Sequence, residues 1–176
     1  KGVHRAIDVA RAAGRRLVIA AKMWEPEEHR YFDAMIRPRL GPDVDYLGPV
    51  GGRAKLDLLA GAEALVNPIR WNEPFGLVMA EALAAGTPVL AFPEGAAPEI
   101  VDHGVTGYLC RDEADMAARL ATVAGLSRVA CRQAAEQRFG SDRMAAEHLA
   151  LYHQLADGTP GWILNAVEPV EALVAN

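Results

Sequence analysis

The sequence predicts an α/β fold with a doubly wound parallel sheet, and three observations carry that reading. Short apolar runs suited to strands recur along the chain, and a stretch suited to a helix follows each of them. Glycine and proline punctuate the joins. A length of 176 residues with 51% hydrophobic content provides for one domain with a real core.

In chain order, a first helix runs from Val3 to Ala13 and is stopped by Gly14. A strand over Arg16 to Ala21 leads to a helix over Glu25 to Leu40, and a strand over Val44 to Leu47 leads to a helix over Gly52 to Ala60. Asn67-Pro68 closes the apolar run Ala64-Leu65-Val66, so a strand ends there. The chain then crosses a loop from Ile69 to Pro74 and enters a helix over Gly76 to Ala85, which Gly86 stops. A strand over Pro88 to Phe92, a short helix near Pro98 to Asp102 and a strand over Gly107 to Cys110 follow. Helices over Asp112 to Gly125, Leu126 to Phe139 and Ser141 to Ala156 complete residues 1–156, the predicted domain. Gly158-Thr159-Pro160-Gly161 reads as a turn, and residues 157–176 as a linker or tail with no assigned role. Sheets of this class bind ligands beyond the strand C-termini, where Lys22, Val50, Asn67 to Glu73 and Glu94 to Glu99 fall.

Composition narrows the function. Eighteen basic and 23 acidic residues give a net charge of −5, and no Lys/Arg block is long enough to track a nucleic-acid backbone, which speaks against nucleic acid as a partner. No apolar run reaches the ~20 residues of a membrane span, and a cytoplasmic protein is expected. Cys110 and Cys131 lack metal-ligand spacing and read as reduced structural thiols. The five histidines are scattered, so no metal set is predicted, and Ser141 has no base beside it for hydrolase chemistry.

The segment richest in chemistry is Glu73-Pro74-Phe75-Gly76-Leu77-Val78-Met79-Ala80-Glu81. The first amides of a helix lack intrahelical acceptors and attract phosphate, which here concerns Phe75, Gly76, Leu77 and Val78. Gly76 lets a ligand approach the backbone. An ionised carboxylate only accepts hydrogen bonds, so Glu81, one to two turns further in, suits a pair of vicinal hydroxyls. The pattern points to a sugar nucleotide. Each residue also has a plainer reading: Glu73 as a helix cap, Glu81 as a surface carboxylate, Lys1 and Lys55 as solvated lysines, and Arg70-Trp71-Asn72 as an exposed loop rather than a border of the sugar.

That segment, with Ala82-Leu83-Ala84-Ala85-Gly86-Thr87-Pro88-Val89-Leu90 running on from it, resembles the C-terminal, donor-binding half of the retaining GT-B glycosyltransferases of family 4. Lys1-Gly2 resembles the end of the family's basic motif, and Tyr46-Leu47-Gly48-Pro49-Val50 its strand and turn beside the base. Pro98-Glu99-Ile100-Val101, with Gly104 and Gly107-Tyr108-Leu109, resembles its closing segment. The likeness spans roughly residues 1 to 155, and the motifs keep the family's order.

The resemblance implies a Rossmann-like domain and transfer of a sugar from an NDP-sugar with retention, using no metal and no cofactor. Lys1 would meet the diphosphate, Glu73 the remote hydroxyls of the donor sugar and Glu81 the ribose, while Val50 and Lys55 would edge the base. Lys1 and Glu73 are the residues assigned to catalysis. Gly52 stands where guanine-using relatives tend to place an acid, which favours UDP-sugar as donor. The acceptor is not legible. A first strand and an acceptor domain are expected before Lys1, with any membrane association carried there, and the chain by itself is expected to be inactive and prone to dimerise. A sugar-nucleotide epimerase of the same architecture and a non-catalytic nucleotide-binding module are the alternatives.

Overall fold

The computed structural model describes residues 1–156; the tail read at 157–176 lies outside the described residues. Among the described residues five strands form, all paired in parallel. β1 (Leu17–Ala20) pairs with β2 (Val44–Gly48), and β4 (Val89–Ala91) lies between β3 (Leu65–Asn67) and β5 (Gly107–Leu109). Asn67 faces Ala91, and Ala91 faces Leu109, so these three strands end level. β1, β3, β4 and β5 are each shorter than the run that predicted them, because pairing stops before the run does, whereas β2 extends one residue further than expected, to Gly48.

The parallel sheet is thus in two pieces, and α1 (Val3–Ala12) joins them. Ile7 packs with Ile19, Phe32, Ile36 and Val44 around the first pair of strands. Val9 packs with Leu90, Phe92, Met116 and Leu120 against the second group. Residues two apart on one helix therefore serve two cores. Val89, Leu90 and Ala91 are all fully buried, as a strand covered on both faces requires. Leu90 turns toward α1 and α6 (Glu113–Leu120), and α4 (Leu77–Ala84) packs along β3 and β4.

Two long helices of the sequence reading are broken. The stretch expected as one helix from Glu25 to Leu40 is an α-helix, α2 (Pro26–Tyr31), then a π-helical turn over Phe32–Ile36 and a 3-10 turn over Arg37–Arg39. The wide turn puts both Phe32 and Ile36 in the core, and Pro38, which has no N–H, ends regular helix soon after. The stretch expected from Asp112 to Gly125 is α6 followed by a 3-10 turn over Val123–Gly125. Asp112 caps α6 by accepting from the Asp115 N–H at 2.8 Å. At the far end the Thr122 hydroxyl donates to the Arg119 carbonyl at 3.0 Å and competes with the helix ladder.

The remaining helices fall close to their expected places: α3 (Gly52–Gly61), α5 (Ala97–Ile100) and α7 (Arg128–Arg138). Contacts divide the chain into two compact units, Lys1–Gln137 and Arg138–Asn176. In the second, α8 (Ser141–Ala156) carries an Arg143–Glu147 ion pair one turn apart and exposes Met144, Leu149, Tyr152 and Leu155. Cys110 and Cys131 are free and buried, and burial pushes the Cys110 thiol up to about 12.

Candidate functional site

The site is built on the loops that leave β2, β3 and β4 at their C-terminal ends. Asn67, the last residue of β3, is buried and donates to the Met79 sulfur at 3.2 Å, which fixes the start of α4 against the strand it follows. Between them the loop 68–76 is held at several points. The Arg5 guanidinium donates to the Pro68 carbonyl at 3.3 Å. Arg70 stacks on the Phe92 ring at 3.4 Å from its centroid, donates to the Arg111 carbonyl at 3.0 Å and lies 3.6 Å from the Glu94 carboxylate. Arg70 is thus a tether of the loop, whereas Trp71 and Asn72 beside it are exposed.

Glu73 is positioned through its backbone. The Ala96 N–H donates to the Glu73 carbonyl at 3.0 Å, and a Cβ on Gly95 would come within 2.5 Å of the Glu73 N and O. Sequence reasoning placed residues 94 to 99 at this edge but gave Gly95 no part in holding Glu73. A glycine just past a strand end was the signal, and only the fold shows what it abuts. The Glu73 side chain is 17% exposed and accepts a hydrogen bond from Lys1 Nζ at 2.8 Å. The same ammonium stands 5.9 Å from the Trp71 ring centroid. Lys1 and Glu73, assigned from sequence to diphosphate and sugar, therefore meet directly.

Gly76 caps α4 in the left-handed conformation, φ 74°, which an L side chain rarely adopts. The helix starts at Leu77, and the Met79 N–H turns back to the Gly76 carbonyl at 2.9 Å. The amides of Leu77 and Val78 are left without an intrahelical acceptor, and the side chains of Phe75, Leu77 and Val78 are exposed beside them. A Cβ on Gly76 would lie 3.8 Å from Glu73 Cγ, which puts Lys1, Glu73 and the helix tip in one place.

Glu81 lies further along α4, turned toward α3 because Met79, Ala80, Ala82 and Leu83 take the buried positions. Its Oε1 accepts from Lys55 Nζ at 2.5 Å, a partner the sequence reading did not foresee. Both side chains are about a third exposed. Val50, half-buried, sits in the turn between β2 and the Gly51 cap of α3. Both motif carboxylates are thus held by a lysine rather than left bare. Among the described residues no cluster of three or more His, Cys, Asp and Glu side chains is arranged to hold a metal, and no helix is long and apolar enough to cross a membrane.

The model of a glycosyltransferase family, the glycosyl transferases group 1, matches residues 1–125. The chain belongs to that family. A D-inositol 3-phosphate glycosyltransferase of Actinosynnema mirum is 38% identical over 65% of this chain and 29% of its own length. A glycogen synthase of Mycobacterium tuberculosis is 36% identical over 81% of this chain and 36% of its own length. Among solved structures, AviGT4, a glycosyltransferase involved in avilamycin A biosynthesis, is 37% identical and superposes with a TM-score of 0.73 over 90% of this chain and 49% of its own. The Anabaena protein HepE, solved with UDP-glucose, is 26% identical with a TM-score of 0.71 over 85% of this chain and 45% of its own. This group 1 glycosyltransferase chain therefore spans about a third of the length of those curated relatives and about half that of the solved ones. Its fold is one Rossmann-like half of the GT-B architecture.

Proposed function

We propose that this chain is the donor-binding half of a retaining glycosyltransferase that uses an NDP-sugar, with a UDP-sugar as the favoured donor. The observation that carries the reading is the meeting of Lys1, Glu73 and the α4 tip at Gly76, with the second carboxylate, Glu81, further along the same helix. The diphosphate lies at the tip, where the Leu77 and Val78 amides and the Lys1 ammonium receive it. Glu81 accepts from the ribose, Glu73 from hydroxyls of the donor sugar, and Val50 borders the base, while Lys55 is engaged by Glu81. HepE was solved with UDP-glucose, which supports a uridine donor.

The ligand-free ion pair is no obstacle to that arrangement. Lys1 is 65% exposed, and an ion pair of this kind contributes about 0–1 kcal/mol. A hydrogen bond to a charged group contributes about 1.5–3 kcal/mol, so a diphosphate on Lys1 and sugar hydroxyls on Glu73 outweigh the pair they displace.

Reaction follows from where charge develops. As the glycosidic C–O bond breaks, negative charge grows on the leaving diphosphate, and preorganised donors at the helix tip together with Lys1 stabilise it. Glu73 and Glu81 are not read as the acid and nucleophile of a glycosidase, since both are assigned to hydroxyls remote from the anomeric carbon. The attacking hydroxyl is assigned to a preceding acceptor domain.

Incubating a protein that carries both halves with labelled NDP-sugars tests the reading. Transfer or slow hydrolysis of the donor is expected. An epimerised donor would favour the epimerase, and an untouched donor would favour a binding module.

A further inference from the structure

The Lys55–Glu81 pair is more specific than two neighbouring surface charges, and it deepens the reading above, on which it rests. α3 is anchored at its C-terminal end: the Thr87 hydroxyl donates to the Leu59 carbonyl at 2.6 Å, and the Arg128 guanidinium donates to the Ala60 and Ala62 carbonyls at 2.6 and 2.9 Å. Toward its N-terminus the helix opens on Gly51-Gly52 with no side-chain cap, and its buried residue is Leu59 in the last turns. Lys55, in the first turn, reaches across to Glu81 on α4. The pair thus fixes two things at once, the carboxylate and the front of the helix that follows Val50.

The geometry points to Lys55 as a positioning residue: it acts on the nucleotide through Glu81, by holding that carboxylate in the rotamer that accepts the two ribose hydroxyls. A carboxylate offers about four lone-pair directions, and Lys55 takes one on Oε1, so room is left for both hydroxyls. A free glutamate loses much rotamer freedom when a ligand orders it, whereas a tethered one has lost that freedom before the ligand arrives. A pair in which both partners are about a third exposed contributes little to stability, so its role lies in orientation and the substituted protein folds.

Calorimetry with UDP and with 2′,3′-dideoxy-UDP, which lacks both hydroxyls, isolates this effect. The unsubstituted chain should prefer UDP by about tenfold or more, the strength of at least one charge-assisted hydrogen bond. Lys55→Met should lower that preference to within about threefold, while affinity for the dideoxy nucleotide changes less than about twofold. Lys55→Arg, which keeps a donor in reach, should restore most of the preference, and Lys55→Met should add nothing further in a Glu81→Gln background. If Lys55→Met aggregates, Lys55→Gln is read by the same ratio. Equal weakening of both nucleotides would mean that Lys55 touches base or phosphate directly, and an unchanged preference would mean that it has no part; either overturns the positioning role. An unsubstituted chain that binds neither nucleotide, or both alike, would instead overturn the assignment of Glu81 to the ribose and this inference with it.

Discussion

Glu73 and Glu81 lie on either side of the start of α4 and are held by different lysines, so the two carboxylates are expected to fail separately. Glu81→Gln should weaken UDP binding by about 1.5–3 kcal/mol for each charge-assisted hydrogen bond lost, with the fold retained; unchanged affinity would make Glu81 a surface group. Glu73→Ala, in a protein carrying both halves, should lose most transfer and keep UDP affinity, and an equal loss of UDP binding would end that division of labour. Gly95 belongs with Glu73. An alanine there has to adopt φ +53° and brings its Cβ within 2.5 Å of the Glu73 backbone. Gly95→Ala should therefore lower affinity for a UDP-sugar toward that for UDP alone, measured by comparing the two ligands on the same variant. The thiols give a pH signature. Burial raises the Cys110 pKa from 9.0 to about 12, and raises Cys131 as well, so above pH 9 the unfolded chain ionises its thiols first. Stability should fall between pH 9 and about 12, and the fall should be shallower in Cys110→Ala, as followed by urea unfolding across that range.

Among the elements, α1 does the most to unite the molecule, since Ile7 and Val9 enter different cores. Ile7 is fully buried, and Ile7→Ala should cost about 2–5 kcal/mol in urea unfolding. Arg128 on α7 caps α3 through two carbonyls and also donates to the buried Thr87 hydroxyl at 2.8 Å. These elements show what the sequence makes legible. Alternating apolar runs and glycine stops placed α1, α3 and α4 within a residue or two, because a glycine in the left-handed conformation ends or starts a helix by local physics. The break in the stretch after Glu25 was not legible, since the π turn serves the burial of Phe32 and Ile36, which depends on strands elsewhere in the chain. The candidate site divides in the same way. Glu73, Gly76 and Glu81 stand out by residue type and spacing, whereas the Lys55–Glu81 bond, the Arg70 tether and the approach of Gly95 join residues that only folding brings together.

At the level of the whole molecule, one group of exposed aromatic and aliphatic side chains lies at the strand C-terminal edge, with others such as Val105 and Val129 elsewhere: Trp24 follows β1, Leu47 lies in β2, and Trp71, Phe75 and Leu77 surround the α4 tip. Such a surface suits a sugar nucleotide closed over by a second domain, and when uncovered it favours self-association. A preparation of these 176 residues should therefore run larger than a monomer, or dissolve poorly, in sedimentation experiments. It should also hold a donor without transferring it, because an acceptor hydroxyl has to come within about 3–3.5 Å of the anomeric carbon and the acceptor site is proposed to lie outside these residues. Transfer by this chain at the rate of a two-domain protein would contradict that assignment. The central claim is that this chain by itself forms the nucleotide site, and calorimetric titration of the folded chain with UDP, GDP and dTDP tests it most directly. Saturable one-to-one binding, tightest for UDP, is the expected result; a folded sample that gives no heat with any of the three would contradict it.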